Sequence, residues 1–584
     1  AEEREQIDTL EQEILALTVD RAESTSEEAA GLDAFSKSAA AEWTWSQPTI
    51  TASSPHAETT FTTLEDGSVL AIGPAPDSDD ITLRFNTDRQ DLRAVLVEVL
   101  THESLPQGGP GRAGNGNMVL TTIEAVAVST ADPSQKQHIE FTWAWADIEQ
   151  QNGDYAVVNA LDGEDERGWA INAHQDRDDR VAMFLADTPF GFEGGTDLSV
   201  TLRFHSIYEK HSAGRVAIHL GSIADKALAN MPVAHSNWYI VGPFATNSGA
   251  EAYDTVFGPE VRGPLDFKAS YHGDSWRHAP GVLEAETVVL AQGVGAEYVS
   301  RELCSPTPRR MELSMGSDDG LQVYLNGRLV HEARVDRGVA PDQEQVAFDL
   351  PAGKSTLVCK FVNTGGNGGM YHREIIPEHQ LHGDAMAMAL PSEVPTDALL
   401  LRAANAWRYR FSPRYAELTG GIVSRGLQAQ DIRDAAPSTM VMKDRDTPRK
   451  TFVMTRGLYD GEDKNRPVAR NVPAVLGRIT TENPTRLDLA AWVVGNENPV
   501  TARVMVNRLW HQFFGRGFSS TIENVGLQGD WPSHPDLIDW MAADLRSDWD
   551  LKRVVRNIVL SATYQQDVAP PNVDERLLAG FPRQ

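Results

Sequence analysis

The sequence predicts a multidomain β + α protein: two antiparallel β-sandwich (jelly-roll-like) domains followed by a mainly α-helical domain. Three observations carry this. Short β-like runs between Gly, Pro and Asn turns fill the chain from Trp43 to about Glu378. Helical spacing takes over beyond about Met388. The charge changes sign near the same place, because residues 401–584 carry 25 Lys+Arg against 21 Asp+Glu while the whole chain carries −31. That leaves −35 on the first four hundred residues and +4 on the remainder. A chain of 584 residues has room for about three to four domains.

The elements follow in order. Ile7, Leu10, Ile14 and Leu17 recur at helical spacing, which predicts one short helix over 1–18. Residues 19–41 are rich in Ala, Ser and Glu and read as a linker, so 1–41 is taken as an N-terminal helix and linker. The first sandwich is expected over 42–230, on runs such as Val69-Leu70-Ala71-Ile72, Ile81-Thr82-Leu83-Arg84-Phe85, Val95-Leu96-Val97, Leu198-Ser199-Val200 and Val216-Ala217-Ile218. Many short strands with turn residues between them make a sandwich. The second is expected over 235–385. There Leu321, Val323 and Leu325 alternate, Asn326-Gly327 turns the chain, and Leu329 resumes it, a strong hairpin signal. Thr356 to Val362 reads as a strand and Gly365 to Gly369 as a loop.

The helical domain is expected over 388–584, with an irregular, Pro-punctuated stretch at 429–485. Arg486–Val494 and Val500–Phe514 read as helices, the second stopped by Gly515 and Gly517. Ser533 reads as the N-cap of a helix opened by Pro535, and a last helix is expected over 551–564.

Composition narrows function. Apolar content of 41% and charged content of 23% belong to ordinary globular protein. The acidic balance argues against nucleic acid as a general partner. No apolar run approaches the roughly 18 residues of a membrane helix, so no membrane span is expected. The acidic charge itself is read first as a solvated exterior. The chain opens at Ala1 without Met or a signal-like apolar stretch, and is read as processed or cut from something longer. No His-Glu-x-x-His, Gly-x-Ser-x-Gly or phosphate-loop motif occurs, which removes zinc-protease, serine-hydrolase and phosphate-loop readings. A carboxylate pair for glycoside hydrolysis leaves no local spacing and stays open.

Three stretches carry a family resemblance. They are Asn507-Arg508-Leu509-Trp510-His511-Gln512-Phe513-Phe514-Gly515, Gly529-Asp530-Trp531-Pro532-Ser533-His534-Pro535-Asp536, and Ser561-Ala562-Thr563-Tyr564. With Thr447-Pro448-Arg449, Thr455-Arg456-Gly457 and Val472-Pro473-Ala474, they resemble a C-terminal domain of unknown function from a planctomycete-type family over about 438–584. The resemblance implies an exported bacterial protein, often encoded with polysaccharide-degrading enzymes, in which a c-type cytochrome portion precedes the domain. The chain departs from that pattern. Its only cysteines are Cys304 and Cys359, so no c-type haem attaches here, and it stops where further helices are expected. A missing cytochrome portion of the same precursor is the implied partner.

The first sandwich resembles a galactose-binding-like (discoidin-type) jelly roll at Asp66-Gly67-Ser68, Asn159-Ala160-Leu161-Asp162-Gly163 and Gly168-Trp169-Ala170. The second is similar to sandwiches appended to glycosidases and to the protective-antigen sandwich, at Trp238 to Phe244, Phe257-Gly258-Pro259-Glu260 and Ser317-Asp318-Asp319-Gly320. These resemblances imply calcium at a loop of Asp162, Glu164, Asp165 and Glu166, and at Asp318 with Asp319. The opposing readings are a solvated acidic loop and a structural turn. Calcium takes six to eight oxygens, which convergent carboxylates and carbonyls supply. Asp176, Asp178 and Asp179 read as solvated surface.

A glycan partner needs an aromatic face beside planar polar groups. Trp143, Trp145, Trp169, His372 and Arg373 are the candidates, against core packing for each Trp. Cys304 and Cys359 either bridge or are buried thiols. In the helical part Asn507, Arg508, His511, His534 and Asp536 are the catalytic candidates, an imidazole near a carboxylate serving as acid or base. The opposing reading is that they tie helices and loops together. The leading expectation is an exported, carbohydrate-associated protein whose sandwiches bind or position polysaccharide beside a helical domain of unknown activity. The alternatives are a polysaccharide-active enzyme with its site in a groove between the helical domain and a sandwich, and a structural or assembly module of a larger redox protein.

Overall fold

The computed structural model describes residues 2–584 apart from 164–166, 262–265, 382, 436–439, 444–448, 569–572 and 582–584. The chain divides into two compact units, Ala1–Pro437 and Ser438–Gln584.

In the first unit, antiparallel strands build the first sandwich. One sheet runs in the order Phe141–Ala146, Arg180–Phe190, Leu92–Val99, Arg215–Ile223, Val69–Ile72, Thr60–Thr63, with Trp43–Ser46 also pairing Arg215–Ile223. The other runs Thr51–Ser53, Asp79–Thr87, Thr196–Phe204, Thr122–Ser129, Lys136–Ile139. Alternation sets which face turns inward: Ile81, Leu83 and Phe85 are buried while Arg84 and Asn86 between and beyond them are exposed. Leu92–Val99 is buried at nearly every position, so both faces of that strand are covered.

The second sandwich repeats the plan. Its larger sheet runs Arg277–His278, Tyr239–Ala245, Gly295–Ser305, Gly353–Asn363, Gly320–Leu325, Arg328–Ala333, with Ala234–His235 also on Gly295–Ser305. Its smaller sheet runs Thr287–Gln292, Asn367–Glu374, Arg309–Asp318, Glu344–Leu350. The expected hairpin is present: Asn326 at φ 49° and Gly327 at φ 72° form a turn of the type that matches strand twist.

Several expectations change. Residues 19–41 are not a linker. Helix Glu2–Ala22 runs through the first part, and Ser26–Ala41 is a second helix. Ala-rich sequence has high helix propensity, and Thr25 and Glu28 form a reciprocal capping box. The Gly-rich segment 365–369 is only partly a loop, because strand Asn367–Glu374 begins inside it. A Cβ on Gly369 would lie 2.7 Å from Val339 Cγ1, so glycine there admits close packing rather than a turn. Residues 429–485 contain the end of helix Pro413–Ala435 and a hairpin, Thr451–Met454 with Glu462–Val468.

The core of the first sandwich takes in Met386, Met388, Leu390, Leu399, Ala403 and Trp407. The stretch after 388 therefore folds with the sandwich, and the division falls at Pro437 rather than at 388. Helix Pro413–Ala435 lies along Glu2–Ala22, where Arg425 meets Glu13 at 2.5 Å.

The second unit is mainly helical: Arg486–Val494, Thr501–Phe514, Pro535–Arg546 and Leu551–Val559. Its core is separate, built on Val506, Trp510, Phe514, Ile538, Leu545 and Ile558. Gly515 at φ 69° ends the second helix. His534, not Ser533, occupies the N-cap before Pro535, and no side chain caps that helix. The last helix stops at Val559 because a turn over Ser561–Tyr564 replaces its final turn. Among the described residues no helix is long and apolar enough to cross a membrane.

Candidate functional site

The three expected aromatic platforms are interior residues. Trp143 and Trp169 are 0% exposed and Trp145 is 8%. Each indole N–H is satisfied by a carbonyl: Trp143 by Pro232 O at 2.9 Å, Trp145 by Gly383 O at 3.1 Å, Trp169 by Ile148 O at 2.7 Å. A large ring gains most when buried, provided its N–H finds a partner. His372 is also buried, edge-on to Trp238 at 4.9 Å, and Arg373, on the smaller sheet, bonds Asp342 at 2.8 Å.

Of the expected calcium residues that are described, Asp162 and Asp319 spend oxygens on protein donors. Arg167 holds Asp162 at 2.5 Å and approaches Asp154 at 3.6 Å. Glu164, Asp165 and Glu166 lie outside the described residues. Asp319 accepts from Arg337 N at 2.9 Å and from Thr364 N and Oγ1, both at 2.7 Å, which makes it the strut of a turn. These bonds hold its carboxyl below the usual range against the effect of burial, whereas burial and the neighbouring Asp319 raise Asp318. Among the described residues no group of three or more His, Cys, Asp or Glu is arranged to hold a metal ion.

Cys304 and Cys359 are free and buried. They lie on paired strands, but Cys304 faces Lys354 and Cys359 faces Val299, five positions apart on the ladder. At roughly 3.3 Å per residue that spacing is beyond a disulfide. Burial pushes both thiols up to about 12.

In the helical unit, Asn507 is a latch. Its Nδ2 donates to Ser519 O at 3.1 Å and its Oδ1 accepts from Ser519 N at 3.0 Å. Among the described residues, Arg508 approaches Glu523 at 3.8 Å. His534 Nδ1 pairs with Ser533 Oγ at 3.0 Å, and Asp536 is exposed in the first turn of its helix. Among the described residues neither His511 nor His534 is hydrogen-bonded to a carboxylate. An acid–base dyad is therefore not assembled from these five residues.

Two arrangements in the first unit gather what sequence reasoning missed. The first is a ring cluster at one loop end of the first sandwich. Tyr155 OH donates to Tyr208 OH at 3.1 Å, and the Tyr208 and His211 rings lie 5.5 Å apart. Tyr208 is 45% exposed and Ile207 beside it 71%. Ser206 Oγ holds the Tyr208 amide at 3.3 Å, and the Lys210 amide bonds Asp77 O at 3.0 Å, which fixes the loop. The Tyr155 ring folds back over Gly153, where a Cβ would sit 2.2 Å from the ring, so only glycine fits. Burial and the Tyr208 partner push the Tyr155 hydroxyl up, keeping it a donor. The available signal was Ile207-Tyr208 set among polar residues in a loop after a strand.

The second arrangement is a cleft of about 270 Å³ between the two sandwiches. Trp143, Trp145, Glu149, His235, Asn237 and Arg301 line it. Glu149 accepts from Val157 N at 2.7 Å, and burial pushes its carboxyl up to about 7. Arg301 donates from Nε and Nη2 to Ser236 O, at 3.1 and 2.8 Å, and lies 4.6 Å over the Trp238 ring. Burial brings its pKa down to about 10. His235 meets Glu374 at 3.2 Å, and burial with the Arg301 charge lowers it. The same causes push His372 down to about 3. Of the expected sugar residues, then, Trp143 and Trp145 meet at the cleft, His372 stands nearby against Trp238, and Trp169 and Arg373 are elsewhere.

Comparison with known proteins adds a family for the C-terminal part. Residues 485–584 match the family described as PSD1, protein of unknown function (DUF1553). No curated protein matches the chain. Among solved structures, an anti-sigma factor domain-containing protein from Clostridium clariflavum is 8% identical, with 55% of this chain and 86% of that one covered, at a TM-score of 0.15. A GH31 alpha-xylosidase from Xanthomonas citri is 9% identical, with 57% and 26% covered, at 0.14. The mannan-recognising carbohydrate-binding module TmCBM27 is 10% identical, with 32% and 94% covered, at 0.12. At these TM-scores the likenesses carry no argument.

Proposed function

We propose that this chain is an exported, carbohydrate-associated protein whose first sandwich binds polysaccharide and which also carries a C-terminal helical unit of unknown activity. The observation that carries this reading is the Tyr155–Tyr208–His211 ring cluster at the loop end of that sandwich. A pyranose has an apolar face that stacks on a ring and hydroxyls that need donors and acceptors. An exposed tyrosine beside a second hydroxyl and an imidazole offers both at one place. A polymer reaches such a surface, whereas it does not thread a closed pocket.

Affinity electrophoresis through gels containing soluble plant, algal or microbial polysaccharides tests the proposal. Retardation by at least one polymer is expected, and Tyr208→Ala should abolish it while leaving the far-UV spectrum and melting curve unchanged. Unretarded migration in every polymer, or identical retardation of the variant, contradicts it. Repeating the assay with a calcium chelator shows whether binding needs a cation.

A further inference from the structure

We propose that the cleft between the two sandwiches is a separate binding site for a single-ring sugar acid, a uronate, with Arg301 meeting the carboxylate and the exposed edge of Trp145 supplying the apolar contact. The site is distinct from the ring cluster, and neither depends on the other.

Size sets the first limit. Small-molecule pockets run from about 300 to 1,000 Å³. A cleft of about 270 Å³ sits just below that range and takes one ring rather than a chain. Its lining mixes two tryptophans with a guanidinium, a carboxyl, an imidazole and an amide, the mixture that fixes a polyhydroxylated ligand.

Charge sets the second. Among the described residues Arg301 is the guanidinium in the lining, and its hydrogen bonds to Ser236 O come from Nε and Nη2. The carboxylates around it are largely committed. Glu374 is turned onto His235, and Glu284 accepts from the Glu374 amide at 3.0 Å. Asp154 is held by Asn237 at 3.0 Å, by the Tyr239 hydroxyl and by Arg167. Glu149 remains as the carboxyl in the lining, facing Arg301 and Asp154, and it takes its proton near neutrality. Protonated, it leaves Arg301 free for an anion and can donate to a ring hydroxyl. Ionised, it competes for Arg301 and repels the ligand. Guanidinium–carboxylate pairing is strong and directional, which favours a carboxylate over a neutral sugar.

Isothermal titration of the full chain at pH 6 with D-glucuronate, D-galacturonate, D-glucose, D-galactose and acetate tests this. At least one uronate should bind saturably and at least tenfold more tightly than its neutral parent and than acetate. Arg301→Lys, which keeps a cation but loses the fork, should weaken the uronate at least tenfold with an unchanged melting curve. Binding by the unaltered protein should weaken between pH 6 and pH 8, and Glu149→Gln should remove that weakening; an unchanged pH profile in the variant contradicts the role given to Glu149. No saturable uronate binding overturns the proposal. So does equal affinity for uronate and parent sugar, equal affinity for acetate, or an Arg301→Lys variant that binds as before.

Discussion

Glu149 makes stability depend on pH with a definite sign. Its folded-state pKa, about 7, stands above the usual carboxylate value because burial penalises the charge. The unfolded chain therefore releases this proton first as pH rises, and folding stability falls between about 4.5 and 7, then levels. Glu149→Gln has no such loss. Urea midpoints across pH 4 to 9 should show the variant gaining on the unaltered protein through that window, and a constant difference would contradict the assignment. Glu28 has the opposite sign. Burial alone would raise it, but hydrogen bonds from Ser412 and the Thr25 amide, with the Arg408 charge, hold it below the usual range. Glu28→Ala leaves Arg408 buried without its carboxylate, and should cost on the order of 3 kcal/mol in urea unfolding at pH 7. At this scale the sequence reported little. Trp143 and Trp145 were singled out by their alternate spacing, which marks a shared face but not whether that face meets water or a second sandwich. Arg301, Glu149 and His235 come from distant segments, and no local spacing announces them.

At the scale of elements the strands were the legible part. Alternation such as Ile81, Leu83, Phe85 is imposed by the pleat itself, so it survives in the sequence of any half-buried strand. The Asn326-Gly327 turn was legible for a similar reason, since both residues adopt positive φ. Gly327→Ala should lower stability by about 1 kcal/mol, measurable by urea denaturation, with no change in the sheet signal. The Ala- and Ser-rich segment 19–41 was misread because composition alone does not separate a linker from a helix. The distinguishing feature was the Thr25-x-x-Glu28 box. Thr25→Ala should cost about 1 kcal/mol of stability.

For the whole molecule, the charge contrast and the structural division nearly coincide but are not the same boundary. Helices Asp397–Phe411 and Pro413–Ala435 belong with the acidic sandwiches, and the separate core of the second unit begins beyond Ser438. Periodicity shows that a segment is helical but not which core its apolar face enters. Two units with separate cores should give two transitions in scanning calorimetry, and one two-state peak would contradict that division.

The claim that this is a polysaccharide-binding chain rests on an exposed ring cluster, and retardation of the Tyr208→Ala variant beside the unaltered protein in a polysaccharide gel tests it most directly. The account predicts a slowed parent and an unslowed, fully folded variant. Equal mobility of the two in every polymer tried would contradict it.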